Sequence, residues 1–224
     1  MDPAARPPSP AVEDYLKAVW RVEQDGTPVT TGALADRLGV IASSVSGMVR
    51  KLAELGLVEH DPYRSVGLTD AGRRVALDVV RRHRLVELFL TSVLELPWDE
   101  VHAEAEVLEH ALSPRLVERI AAKLGDPTHD PHGDPIPTAD GQLADDRTVA
   151  LCDLVAGATG LLVRVSDSDP GILRYLTDQR IALGDRVEVV DRAPFDGPLT
   201  VRVGGGEHTV GGRLATAIRV RVDP

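Results

Sequence analysis

Cysteine is almost missing: the 224 residues contain one, Cys152, so no disulfide framework can staple the chain. A lone thiol suits a reducing compartment, and inside the apolar stretch ALCDLV it reads as a small helix residue. Long apolar runs are missing too. No stretch of about eighteen apolar residues occurs, so no membrane span or membrane partner is expected. The opening MDPAARPPSPAVED has no apolar core of a secretory signal, and the expected compartment is the cytoplasm. Positive charge is in deficit, with 25 Lys+Arg against 35 Asp+Glu and a formal net charge of −10. Spread evenly, that balance would argue against a nucleic-acid partner. It is not even: residues 1–74 carry 9 basic against 10 acidic side chains, 75–150 carry 7 against 15, and 151–224 carry 9 against 10. The first third can still present a local basic face. The signatures of a hydrolase are absent as well, with no HExxH and no paired nucleophile and base. Gly204-Gly205-Gly206 precedes neither a helix nor a Lys-Ser/Thr pair, so it reads as a hairpin turn rather than a phosphate loop. No enzymatic activity and no small-molecule substrate are expected.

What is present centres on HRLVELFLTSVLELPWDEVHAEAEVLEH, residues 83–110. His83 and Glu87 stand four apart, so a helix presents both from one face. His102, Glu106, Glu109 and His110 make a second stripe, at helical offsets, with Leu, Val and Ala between them. Two adjacent helices carrying imidazoles and carboxylates can nest a divalent transition ion, because no side chain needs an unusual protonation state. A wholly solvated charged face is the plainer alternative. It is the weaker one where two such pairs recur.

The fold class is mainly α with a small β domain. Ser9 with Pro10 opens a helix over 9–24. Thr30 or Thr31 caps a short helix to Leu38, Gly39 turns the chain, and a second helix runs from about Ala42 to Leu55. A hairpin across Leu57–Leu68 follows. Helix, turn, helix and wing in that order predict a winged helix-turn-helix domain over 1–73. On its recognition helix Ser43, Ser44 and Ser46 can reach phosphate or base edges, and Arg50 and Lys51 add charge. Arg64 at the wing tip can touch the backbone of double-stranded operator DNA. Residues 74–146 form a helical metal-binding and dimerisation domain ending in a Pro-rich linker. Asp70 begins a long helix through Leu94, Asp99 caps the next, and Ser113-Pro114 opens a third. Leucine and valine in excess of one core's need point to a homodimer. His129 and His132 in the linker read as surface residues. From 147 to 224, alternating short runs (LLVRVS, DRVEVVD, LTVRVG, TAIRVRV) predict an SH3-like barrel.

The residues Arg82–Leu85 with Glu87, Val101-His102 through Glu109-His110, and Pro131–Pro137 together resemble the diphtheria-toxin-repressor family of metal-dependent transcriptional regulators. The likeness covers nearly the whole chain and implies two metal sites per subunit. His83, Glu87 and His102 match an ancillary site; Asp14, Glu106, Glu109 and His110 match the primary one. The iron-responsive branch carries Met at the place of Asp14 and Cys at that of Glu106. Carboxylates at both places match the manganese-responsive branch, and hard oxygen donors suit Mn²⁺. Fe²⁺ is the alternative effector. Asp169 roughly matches a barrel ligand of the iron branch. Lys17 stands where some small manganese regulators carry a carboxylate, and Ile41-Ala42 where relatives often carry Pro. The implied function is a Mn²⁺-activated repressor of manganese uptake genes; a metal-independent winged-helix regulator is the lesser alternative.

Overall fold

A computed structural model describes residues 8–59, 65–144, 147–195 and 197–223. Packing divides the chain into two compact units, one of residues 1–82 with 137–142 and one of 83–136 with 143–224.

The first unit begins with α1 (Pro10–Gln24), entered through Ser9 in an extended conformation with Pro10 in its first turn. Tyr15, Leu16, Val19 and Trp20 are buried along one face of α1. Thr30 caps α2 (Thr31–Leu38) by accepting from the Ala33 N–H at 3.1 Å, and Gly39 ends it in the left-handed region at φ 65°. That φ is costly for any residue with a Cβ, which is why the turn between the two helices uses glycine. α3 (Ala42–Glu54) buries Val45, Val49 and Leu52. β1 (Val58–Glu59) pairs antiparallel with β2 (Gly67–Leu68), with Val58 opposite Leu68. At Gly72 a Cβ would lie 1.9 Å from the Leu57 carbonyl oxygen, so the chain entering β1 fits against helix α4 (Asp70–Leu94) only because this residue is glycine. Arg82, in α4, donates to Glu13 of α1 at 2.8 Å, and both side chains are about nine-tenths buried.

The second unit holds the end of α4, α5 (Val101–Leu108) and α6 (Pro114–Lys123). Ser113 caps α6 by accepting from Leu116 N–H, and Pro114 occupies its first turn. The expected Asp99 cap of α5 is not made. Glu100 is the N-cap, without a side-chain bond, and Asp99 pairs with Arg174 at 3.3 Å instead. Leu85, Val117, Ile120 and Ala121 pack with Ile136 of the linker, while Val86, Leu90, Val101 and Ala105 close the α4–α5 contact.

The rest of this unit is a six-stranded antiparallel sheet in the order β3-β8-β4-β5-β6-β7. The strands are β3 (Val149–Ala150), β4 (Thr159–Val165), β5 (Arg186–Arg192), β6 (Leu199–Val203), β7 (Gly206–Val210) and β8 (Ile218–Val222). Gly204 and Gly205, at φ 60° and 80°, form the two-residue turn between β6 and β7 that the triple glycine predicts. Helix α7 (Pro170–Asp178) follows β4, and a short α8 (Gly212–Ala217) precedes β8. Leu162, Val165, Leu173, Leu176, Val189 and Val201 lie in the core that sheet and helices share. No helix among the described residues is long and apolar enough to cross a membrane.

Candidate metal centre

The second half of α4 turns His83 and Glu87, one helical turn apart, inward. Both are 1% exposed. A buried carboxylate and imidazole require partners, and α5 supplies the first. His102 Nδ1 lies 3.2 Å from Glu87 Oε1 and 3.1 Å from His83 Nε2, while His83 Nε2 lies 3.0 Å from the same Glu87 oxygen. The fourth member comes from the loop after β4, where Asp167 Oδ2 is 2.8 Å from His102 Nδ1. Four donor atoms thus converge, but ordinary hydrogen bonding cannot satisfy them all. With the carboxylates ionised, the two ring nitrogens carry at most two protons among four contacts, so some contacts must share a proton or set lone pair against lone pair. Donors about 2.1 Å from an ion and at right angles to one another stand about 3.0 Å apart, which is the spacing found. The set fits a divalent cation.

The electrostatics agree. Burial alone would raise the Glu87 pKa, but the facing His83 and the bonds from His102 and His83 outweigh it and pull the carboxyl down to about 2. Burial likewise works against the His102 charge; its bonds to Asp167 and Glu87 prevail and hold the imidazole up at about 10. Without metal, the two carboxylates hold a proton on His102.

A second set adjoins the first through His83, whose Nδ1–H donates to Glu109 Oε2 at 2.6 Å, with Glu106 Oε1 at 3.9 Å. Glu109 is wholly buried at the C-cap of α5, and His110 Nε2 stands 3.4 Å from its other oxygen. Asp14 belongs to α1, in the other unit.

A third set was not legible as ligands in the sequence. His132 is fully buried, and its Nε2–H donates to the Trp98 carbonyl at 2.7 Å. That bond leaves Nδ1 as the lone-pair nitrogen, which is the arrangement typical of a metal-binding imidazole. His132 Nδ1 and Glu87 Oε2, 3.8 Å apart, are both buried without a hydrogen-bond partner. Asp130 completes the group. Burial raises its pKa well above the usual carboxylate range, Asp134 and Glu87 raise it further, and Arg84 partly offsets them. The linker is not the surface segment its composition predicts. Gly133, at φ 86°, presses on β4 so closely that a Cβ would sit 2.0 Å from the Val163 carbonyl oxygen. His129 Nδ1, by contrast, lies 2.9 Å from the Thr128 hydroxyl, in an exposed pair.

Asp169, expected as a barrel ligand, stands in none of these donor sets among the described residues. Asp169 is the N-cap of α7, accepting from Gly171 N–H at 2.9 Å, and it pairs with Arg213. The barrel carboxylate at the metal set is Asp167, two residues earlier. Asp169 directly precedes Pro170 in the first helical turn, and that signal marks a cap.

On α3 the buried side is Val45, Val49 and Leu52, and Ser43, Ser44, Ser46, Arg50 and Lys51 are exposed on the other faces. The Ser46 hydroxyl donates back to the Ala42 carbonyl at 3.1 Å. Arg64 falls outside the described residues.

Comparison with known proteins follows the same division of labour. Residues 9–66 match the iron dependent repressor N-terminal DNA binding domain, 69–138 the iron dependent repressor metal binding and dimerisation domain, and 149–222 the FeoA domain. The iron-dependent repressor IdeR of Mycobacterium leprae is 32% identical over 221 residues, spanning 93% of this chain and 95% of that protein. The diphtheria toxin repressor of Corynebacterium diphtheriae is 31% identical over 218 residues, spanning 93% and 95%. Among solved structures, a manganese-dependent transcriptional repressor in complex with manganese superimposes with a TM-score of 0.90 at 48% identity, covering 94% of this chain and 99% of that one. The chain belongs to the diphtheria-toxin-repressor family. It is a metal-dependent DNA-binding repressor rather than an enzyme, with operator DNA and a second copy of itself as partners.

Proposed function

We propose that the chain is a cytoplasmic, Mn²⁺-activated repressor of manganese uptake genes, with functional parts at 1–73, 74–146 and 147–224. The observation that carries this reading is the donor chemistry: His83, Glu87, His102 and Asp167 converge through nitrogen and oxygen alone. Hard oxygen and imidazole donors suit Mn²⁺, which ranks lowest in intrinsic affinity and so depends on site geometry and supply. Glu106, Glu109 and His110 are proposed as a second set, with Asp14 as a further donor to it, which gives two sites per subunit. His132 and Asp130 are proposed to support the first set across Glu87. A bound divalent ion would supply the positive charge that lets these carboxylates share one place. The chain's own contribution is to hold the donors dry and oriented. Ser43, Ser44, Ser46, Arg50, Lys51 and Arg64 are proposed to meet the operator, with metal and DNA binding coupled reciprocally by ~1–3 kcal/mol.

Fe²⁺ is the second reading, favoured by the names of the curated relatives, which are iron-dependent repressors. Operator titrations with Mn²⁺ and with anaerobic Fe²⁺ separate the two readings. Replacing Asp14 by Met and Glu106 by Cys should shift preference toward iron or cobalt, and unchanged selectivity would refute the ligand assignment. Chelator-insensitive operator binding would instead establish a metal-independent regulator.

A further inference from the structure

Trp98 lies between α4 and α5 and is outside every donor set described above, yet three of its atoms or faces are engaged at once. Its carbonyl accepts from His132 Nε2–H at 2.7 Å. Its indole stacks on the same imidazole, with ring centroids 6.0 Å apart and planes 20° from parallel. Its Nε1–H donates to Thr177 Oγ1 of α7 at 2.9 Å, and that hydroxyl donates in turn to the Leu173 carbonyl. The ring also packs against the core of the sheet domain. We propose that Trp98 is a positioning residue for the metal centre. Thr177 holds its indole, the held indole fixes the carbonyl, and the carbonyl keeps the proton of His132 on Nε2, so that Nδ1 faces Glu87 as a lone pair.

The inference rests on the metal reading above and deepens it. The sheet domain contributes Asp167 directly to the first set, and through Thr177 and Trp98 it also governs the tautomer of an imidazole that it does not contain. An imidazole free to exchange tautomers presents the wrong nitrogen part of the time, and affinity falls by that fraction. The backbone of the linker reinforces the arrangement, since Val165 N–H donates to the His132 carbonyl at 2.9 Å. The His132 main chain is thereby fixed, which leaves its ring to be set by Trp98.

The test uses the full chain with Trp98→Phe, Thr177→Val, Thr177→Ser and the double variant. Mn²⁺ affinity is measured by electron paramagnetic resonance of the free ion, and the His132 tautomer by nitrogen NMR of the metal-free protein. Loss of one hydrogen bond is expected to weaken Mn²⁺ binding by about 3–10-fold in Trp98→Phe and in Thr177→Val. The double variant should be no worse than either, because both changes remove the same bond. Thr177→Ser should restore binding. In the weakened variants the NMR signal should move toward the Nδ1-protonated form. Wild-type affinity and an unmoved tautomer in Thr177→Val would overturn the positioning role and leave the metal reading standing. A wild-type protein that binds no Mn²⁺ would overturn the metal reading and this inference with it. Should Trp98→Phe fail to fold, the exposed and nearly isosteric Thr177→Val decides alone.

Discussion

Loading of the first donor set should expel a proton, and the amount can be worked out from the site. Without metal the His102 imidazole stays protonated up to about pH 10, held by Asp167 and Glu87 against the opposing effect of burial. Transition ions bind the neutral ring, so the proton has to leave. At pH 7 only about one molecule in a thousand offers the lone pair, because the solution is three units below the pKa. Affinity should therefore rise about tenfold for each pH unit, about 100-fold between pH 6 and pH 8, with close to one proton released from His102 per ion. Glu87, held at about 2, is ionised throughout this range and adds no slope. Isothermal titration of Mn²⁺ at pH 7, in buffers of different protonation enthalpy, counts the protons directly. His102→Gln should release about one fewer than wild type, and its affinity should vary less with pH. Equal proton counts for the two proteins, or a wild-type affinity flat from pH 6 to 8, would refute the reasoning.

The same group contributes to the stability of the metal-free protein. Its pKa is raised from 6.5 to about 10 on folding, so its contribution is complete below pH 6.5 and is lost as pH climbs through about 10. The difference in melting temperature between wild type and His102→Gln should shrink over that interval, and a constant difference would contradict the assignment. Gly133→Ala must escape both a positive φ and a 2.0 Å approach to Val163 O, so a loss of at least ~2 kcal/mol in urea unfolding is expected, together with weaker Mn²⁺ binding. Arg82→Met removes the 2.8 Å charge-assisted bond to buried Glu13; the expected loss is about 1.5–3 kcal/mol by denaturant titration, and an unchanged midpoint would refute a stabilising role for the pair.

Much of the helical framework could be read from local signals, because caps and first-turn prolines act within four residues. Thr30, Pro10 and Ser113-Pro114 all stand where the chemistry of helix ends demands. The local rule failed at Asp99, where Arg174, 75 positions further along, takes the carboxylate that would have capped α5. The candidate donors on α4 and α5 were legible for the same reason as the helices: their spacing is helical. His132 was not, since a Pro- and Gly-rich composition reports backbone freedom and says nothing about burial beneath a distant strand. Asp167 and Asp169 look alike in the run Ser-Asp-Ser-Asp. The choice between them depends on Pro170, which begins α7 and makes Asp169 its cap.

His83 is a single rigid plate with a working nitrogen at each end, one turned to Glu87 and His102, the other to Glu109. Whatever withdraws electron density at Nε2 makes the opposite N–H more acidic and tightens its grip on Glu109. Two neighbouring carboxylate nests joined by such a ring are not independent chemical objects. A titration of one is felt as a change of field in the other, and the response of the whole to a rising cation concentration should be steeper than two isolated nests would give.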